Sequence, residues 1–519
     1  MRKKPNFVMI VSDQQRADWL GCYGHKVIKT PHIDSLAEQG LRFTDFHTAS
    51  PVCMPNRASI LTGRYPSVHG LRYNGCALST RANTFVELLR QAGYQTAAIG
   101  KSHLQPFTPF SIDRTHEHYN ETYTEAWKET LEPYVHEEPG RYSTSCRYVF
   151  PKPYYGYDHV DMVTGHGIEC NGHYRQWLNE RTGEAANLTD PKRQLEHHFG
   201  VPQACRTVMP EELYPTRYIE NQTVNWLNEV ANPEQPFFLF VSFPDPHHPF
   251  NPPGKYWDRY KPEQFDLENP AESIEDKPPM LQYAYDRLSQ GLYPSTSQES
   301  FMATTRHCKE AMALTAGMID MVDDAVGSIN QALKDSGLDD DTVIIYTSDH
   351  GDYLGDANLL LKGPWIRTST HQVPFVWRDP EALKVTTTNV MGSAIDIAPT
   401  ILARAGVTPY FGIQGRDLLH DIETDEGRQQ LLIEHNDNVS RMGLTAPSRS
   451  RTLYRKDWRL TIYPGENWGE LYHTEADPHH RKNLWFDKEF ALKKGELMEQ
   501  LAVEIAATMD ESPRSIRRA

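Results

Sequence analysis

Apolar positions in this chain fall into short unbroken runs, and each run ends in polar, chemistry-bearing residues. Residues Asn6 to Ser12 (Asn-Phe-Val-Met-Ile-Val-Ser) stop at Asp13-Gln14, and Thr342 to Thr347 stop at Ser348-Asp349-His350-Gly351. Phe237 to Phe243 lead into Pro244-Asp245-Pro246-His247-His248-Pro249. Runs of this length, rich in β-formers and without alternation, predict strands buried on both faces, as in a parallel sheet. Thr84-Phe85-Val86-Glu87 is a capping-box pattern that opens a helix, and Gly93 is placed to end it. A strand over Thr96 to Ile99 follows, with Gly100-Lys101-Ser102-His103 at its carboxyl end. A long helix is predicted from about Arg306 to Ser336, with Val322, Val326, Ile329 and Leu333 on one face and Gly337 as its stop. A strand over Val373 to Trp377 and a helix around Asp396 to Thr400 complete a strand–helix–strand rhythm, the mark of an α/β fold.

Two stretches depart from that rhythm. Residues 104–235 are rich in Tyr, His, Pro and Glu with weak periodicity, and read as an insertion of loops and short elements that shapes a pocket or an oligomer contact. A polar stretch from Gly415 to about Asp425 marks a boundary, giving a catalytic unit over 1–415 and a smaller α+β unit over 416–519. In the smaller unit, Leu431 to Ile433, Thr452 to Tyr454 and Trp458 to Tyr463 predict a small antiparallel sheet, and about Ala491 to Met509 a closing helix. The tail carries Arg514, Arg517 and Arg518, either as a free end or as an arm toward a second subunit.

Composition narrows the partners. At 519 residues, 39% hydrophobic and 24% charged, the chain is globular and long enough for more than one core. Its net charge of −16 disfavours nucleic acid and anionic membranes, so an anionic substrate would require positive charge gathered locally. The seven cysteines are scattered, odd in number and lack CxxC spacing, which argues against a disulfide framework or zinc ribbon. With no apolar core after Met1-Arg2-Lys3-Lys4 and no bilayer-length apolar run, the expectation is a cytoplasmic protein.

The candidate chemistry centres on Cys53-Met54-Pro55-Asn56-Arg57, followed by Leu61-Thr62-Gly63-Arg64. Residues four apart share a helix face, so Arg57 can hold an anion against a nucleophile at position 53. A buried, inert cysteine ahead of an ordinary helix fits the local residues equally well. Asp13, Asp349 and His350 are oxygen and nitrogen donors at two strand ends, able together to hold one divalent cation.

The cysteine run resembles the sulfatase signature, Cys-x-Pro-x-Arg followed by Leu-Thr-Gly-Arg. Further markers stand in family order: Asp13-Gln14, Asn74, Gly100-Lys101-Ser102-His103, Pro246-His247, Asp349-His350-Gly351, Lys362, Asp396 to Thr400, and Glu470-Leu471-Tyr472 with Asp477-Pro478 and Asn483-Leu484. The chain thus resembles, over nearly its whole length, the sulfatase and phosphonate monoester hydrolase branch of the alkaline-phosphatase superfamily. That resemblance implies a large mixed, mostly parallel sheet flanked by helices, with a small C-terminal antiparallel sheet and helix. It implies that Cys53 is oxidised to formylglycine by a formylglycine-generating enzyme. It further implies that residue 53, Asp13, Asp349 and His350 ligate calcium, manganese or magnesium, with Gln14 standing where many sulfatases have a second Asp. By the same resemblance Arg57 orients the nucleophile, Lys101 clamps the anion, and His103 is the base that collapses the hemiacetal. His247 and Lys362 serve the leaving group, and Asn74 contacts a nonbridging oxygen; His248 is taken as structural. The expected activity is that of an arylsulfatase-like sulfate-ester hydrolase, in a homo-oligomer (dimer or tetramer). Phosphonate monoester or phosphodiester hydrolysis is the alternative, and an unmodified anion-binding homologue the alternative of another class. Asn56 and Met54 depart from the residues usual between the cysteine and the arginine.

Overall fold

A computed structural model describes residues 4–108, 134–143, 146–232, 234–293, 298–381 and 385–516; Arg517 and Arg518 of the tail lie outside the described residues. The main sheet has nine strands: β1 (Asn6–Ser12), β2 (Leu41–Phe43), β3 (Gln95–Gly100), β4 (His159–Thr164), β5 (Asn171–Gly172), β6 (Phe237–Ser242), β7 (Thr342–Ser348), β8 (Phe375–Arg378) and β9 (Thr387–Thr388). Their order across the sheet is β9-β2-β8-β7-β1-β6-β3-β4-β5. The five central strands β7-β1-β6-β3-β4 are mutually parallel, and β8 runs antiparallel beside β7.

The unbroken apolar runs follow from what covers the sheet. In β1, Val8 and Ile10 face a core that contains α3 (Thr305–Asp335), while Phe7, Met9 and Val11 face the opposite layer. That second layer is built from α1 (Cys53–Thr62), α2 (Phe85–Gln91) and α4 (Ile397–Arg404). With both faces covered, the five positions from Phe7 to Val11 between the terminal Asn6 and Ser12 are all apolar. The long helix is present as expected, with Val322, Val326, Ile329 and Leu333 all buried and Thr304 Oγ1 accepting from His307 N at 3.2 Å. At α2 the Thr84 hydroxyl caps the helix by accepting from Glu87 N at 3.1 Å. The reciprocal half of the expected capping box is not made, because the Glu87 carboxylate accepts instead from Arg90 and Gln91.

Two strands escape the sequence pattern. The 104–235 stretch is more than loops: it supplies β4 and β5 to the main sheet and helices over His173–Thr182 and Pro215–Asn225. β4 reads His-Val-Asp-Met-Val-Thr because its buried Asp161 is satisfied by Tyr218 Oη at 2.6 Å and Arg147 at 2.7 Å, so a core strand carries a charge. The C-terminal sheet has four antiparallel strands in chain order, β10 (Gln430–Glu434), β11 (Arg451–Arg455), β12 (Trp458–Ile462) and β13 (Gly469–His473). β13 is hidden in sequence by Glu470, which is buried and ion-paired across the sheet to Arg459. Helix α5 (Ala491–Ala507) closes this sheet through Leu497 and Leu501. Among the described residues no helix is long and apolar enough to cross a membrane.

Candidate active site

Four parallel strands and one helix end at the same place. Asp13 follows β1, Lys101 and His103 follow β3, His247 lies beyond β6, and Asp349-His350 follow β7. Ligands gather at the carboxyl ends of strands in such sheets. The N-terminus of α1 points into the cluster, and all ten residues of that helix are buried. Its free Met54 N–H is satisfied by Asn74 Oδ1 at 3.1 Å.

Arg57 ties these ends together. Its Nε donates to Asp349 Oδ2 at 2.7 Å, Nη1 to the Lys101 carbonyl at 2.7 Å and to Ser242 Oγ at 2.9 Å, and Nη2 to Asp13 Oδ2 at 3.3 Å. A planar guanidinium with five fixed donors can span four chain segments in this way; an ammonium cannot. Lys101 Nζ pairs with Asp13 Oδ2 and donates to His166 Nε2 at 2.7 Å. Burial alone would raise the pKa of Asp13, but Lys101 and Arg57 outweigh it and hold the carboxyl well below the usual range.

Cys53 Sγ lies 3.0 Å from His350 Nε2. His350 Nδ1 is 2.8 Å from the Gly351 carbonyl, an acceptor only, so Nδ1 carries a proton and Nε2 is the nitrogen turned to Cys53. Against burial, Asp349 and Cys53 raise the His350 pKa above its ordinary value. Burial works against a thiolate here, yet Lys362 and His350 pull the Cys53 thiol below its ordinary pKa. Ligand atoms of Asp13, Cys53, Asp349 and His350 all lie within 4.8 Å of one another. Asp13 Oδ1 is buried in that cluster without a hydrogen-bond partner among the described residues. A buried, ionised carboxylate oxygen left open among three other donors fits a hard divalent cation.

The other flank holds imidazoles and an amide. Lys362 Nζ donates to Gln14 Oε1 at 2.6 Å and to His247 Nε2 at 3.0 Å. His247 Nδ1 is 2.6 Å from the His248 carbonyl, so Nδ1 carries the proton and Nε2 accepts from Lys362. Gln14 Nε2 donates to Asp352 Oδ2 at 2.5 Å and to His248 Nδ1 at 3.1 Å, while its backbone N–H reaches Asp349 Oδ1 at 3.0 Å. Burial and the neighbouring Lys101 hold His103 well below the ordinary imidazole pKa; burial and His166 do the same for His247. Gln14 and His103 both take left-handed backbone, at φ +65° and +57°, a conformation that costs non-glycine residues energy and clusters at working sites.

The structure thus brings together Asp13, Gln14, Cys53, Arg57, Lys101, His103, His247, Asp349, His350 and Lys362, with Asn74 at the head of α1. It adds residues the sequence did not mark. Asn56 donates from Nδ2 to the Asp349 carbonyl at 2.6 Å and accepts from Ala49 N at 2.9 Å, so the departure from the usual residue is a latch between α1 and the end of β7. Glu137, from the insertion, accepts from the backbone N–H groups of His103, Leu104 and Gln105 at 2.8, 2.9 and 3.2 Å and sets that loop. His166 sits between Lys101 and His247, its ring stacked on the His247 ring at 3.5 Å. A signal for it exists: Gly165-His166-Gly167 follows a strand's carboxyl end, as the other site residues do.

Comparison with known proteins agrees with this geometry. The family model described as Sulfatase matches residues 5–407, and that of the N-sulphoglucosamine sulphohydrolase C-terminal region matches 363–507. An arylsulfatase of Clostridium perfringens is 30% identical over 428 residues, covering 81% of this chain and 79% of that protein. The multifunctional alkaline phosphatase superfamily protein PehA of Trinickia caryophylli is 26% identical over 514 residues, covering 94% and 92%. The phosphonate monoester hydrolase of Agrobacterium radiobacter shares the fold, with a TM-score of 0.77 at 24% identity over 98% of this chain and 97% of that one. The fold, the cluster at the strand ends and the match over most of the chain converge: this protein belongs to the sulfatase family, the hydrolases of sulfate esters.

Proposed function

We propose that this protein hydrolyses sulfate monoesters with a formylglycine made from Cys53 and one divalent cation held by residue 53, Asp13, Asp349 and His350, with Gln14 alongside. The observation that carries this reading is Asp13 Oδ1, buried and without a hydrogen bond in a four-donor cluster that includes the nucleophile position. Two carboxylates in the donor set favour calcium, manganese or magnesium. When bound, the cation lowers the pKa of a hydroxyl on residue 53 and offsets charge on the transferring group. A hydrated aldehyde at position 53 supplies two hydroxyls, one to attack sulfur in line and one whose proton is later removed to expel sulfate; Cys53 Sγ marks the place of the first.

The remaining roles belong to the side chains described above. Arg57 holds both metal-side carboxylates and the head of α1, so the nucleophile is fixed before substrate arrives. Lys101 uses two of its three N–H groups on Asp13 and His166, and directs the third at a sulfuryl oxygen. Asn74, whose Oδ1 is occupied by Met54 N–H, turns its amide nitrogen to a nonbridging oxygen. The leaving oxygen takes its proton from the His247–Lys362 pair. Sequence alone made His247 the general acid, but its Nε2 accepts from Lys362 and carries no proton, so the Lys362 N–H is the donor and His247 holds it in place. His103, kept neutral beside Lys101, accepts the proton from the second hydroxyl.

A sulfate monoester and a phosphonate monoester or phosphodiester each present one negative charge. The fold shared with a phosphonate monoester hydrolase, and the likeness to PehA, described as multifunctional, support the second class as the alternative substrate. The deciding experiment uses one preparation in which mass spectrometry of the Cys53 peptide, after coexpression with a formylglycine-generating enzyme, shows the aldehyde. Aryl sulfate and aryl phosphonate monoester with the same leaving group are then compared. A sulfate preference in kcat/KM of about a hundredfold or more supports the sulfatase reading, and the reverse preference replaces it with the phosphonate one. An intact thiol after coexpression favours the unmodified anion-binding homologue.

A further inference from the structure

We propose that His166 is a positioning residue for Lys101, an assignment that rests on the sulfatase reading of this site. Lys101 is a flexible chain with a point charge at its end, and Asp13 alone would draw that charge onto the metal-side carboxylate. His166 Nε2, 2.7 Å from Lys101 Nζ and 3.9 Å from Asp13 Oδ2, supplies a second acceptor along a different N–H direction. An ammonium donates only, so His166 Nε2 is the acceptor and carries no proton. With two N–H directions taken by Asp13 and His166, the third is fixed in space, where a free rotor would sweep a cone.

The imidazole is itself held on its flat face and at its backbone. It stacks on His247 with the rings 10° from parallel, and His247 is anchored by the His248 carbonyl and Lys362. Gly165 and Gly167 flank it at φ +80° and +49°, and a Cβ at Gly167 would fall 2.5 Å from the Asn251 side chain. The turn that presents His166 therefore has little room to move. Through this stack the cation that holds the substrate anion and the pair that serves the leaving group are spaced against each other.

Two variants separate the ring's two contacts. His166→Phe keeps the stack and removes the acceptor; His166→Gln keeps an acceptor and removes the stack. With formylglycine content, metal content and circular dichroism matched to the unsubstituted protein, His166→Phe is expected to lower kcat/KM for an aryl sulfate about thirtyfold, and His166→Gln to recover to within about fivefold. In a Lys101→Ala background the Phe substitution is expected to add less than about a twofold change. An undiminished loss in that background, or a Phe variant within about threefold of the unsubstituted protein, overturns the assignment. Calorimetric binding of inorganic sulfate to the unsubstituted protein, His166→Phe, Lys101→Ala and the double variant gives a readout that does not depend on turnover. Non-additive losses there support the assignment and additive ones overturn it. Absent aryl sulfate turnover with intact, non-additive sulfate binding defeats the sulfatase reading alone; absent sulfate binding by the unsubstituted protein defeats both.

Discussion

On the Cys53 flank of this site every charge touches its opposite: Arg57 spans Asp13 and Asp349, and Lys101 sits on Asp13. On the Lys362 flank the lysine has no carboxylate partner among the described residues. Lys362 leans on an amide oxygen and on the lone pair of His247, and a buried acid on the same flank, Asp352, is turned to Gln14 and its pKa held up at about 6 by burial, against the Gln14 bond. The first arrangement fixes geometry, because buried opposite charges in contact resist displacement once formed. The second holds its lysine by hydrogen bonds to neutral acceptors alone, which leaves its N–H groups free to turn toward a substrate oxygen. One site thus keeps its rigid and its labile chemistry on separate strand ends.

The comparison is broken most directly from the rigid side. Asp13→Asn is expected to abolish stoichiometric metal content by elemental analysis and to cut kcat/KM on the order of a thousandfold with every leaving group. The labile side should answer to the leaving group instead. Lys362→Ala is expected to cost about a hundredfold for an alkyl sulfate and less than about tenfold for a nitrophenyl sulfate, whose leaving group needs no proton. Equal losses for both esters would place Lys362 with the charge-fixing residues and erase the distinction.

The loop carrying His103 tests whether insertion and sheet act together. Burial, against bonds from Tyr154 and three backbone N–H groups, raises the Glu137 pKa from 4.5 to about 7. A raised folded-state value means the stabilising contribution is complete below the unfolded value and is lost as pH rises toward about 7. Glu137→Gln should therefore remove a pH-dependent loss of about 3 kcal/mol across that window, seen in urea titrations of both proteins at several pH values. An unchanged slope would leave burial without the role given to it. Asn56→Ala removes the latch from α1 to Ala49 and Asp349, and is expected to destabilise by about 2 kcal/mol by the same titration. Its effect on kcat should exceed its effect on KM, since it loosens the nucleophile's helix and touches no substrate.

Legibility in the sequence followed burial geometry. β1 and β7 were readable because both their faces are covered and no polar residue interrupts them. β4 and β13 were not, because Asp161 and Glu470 are compensated by partners distant in sequence, and no local pattern reports such a partner. The same holds within the site. Asp13, Lys101, His103, His247, Asp349 and His350 were found because each closes a visible strand or belongs to a family motif. His166 closes a strand that was itself hidden, and its partner Lys101 is 65 positions away. Asn56 was visible only as an irregularity; its two hydrogen bonds to separate segments exist only once the chain has folded.

For the oxidation of Cys53 proposed above, the position of that residue sets an order of events. The residue is 2% exposed and begins a helix whose every side chain is covered. An enzyme that oxidises it must bind several neighbouring residues in an open conformation, and the finished protein offers none of them. Oxidation therefore has to precede docking of this helix, in the interval between synthesis and folding. A chain that folds first keeps its thiol for as long as it stays folded, and supplying the oxidising enzyme later restores nothing. On that proposal, the fraction of competent molecules records a race run once per chain, at birth.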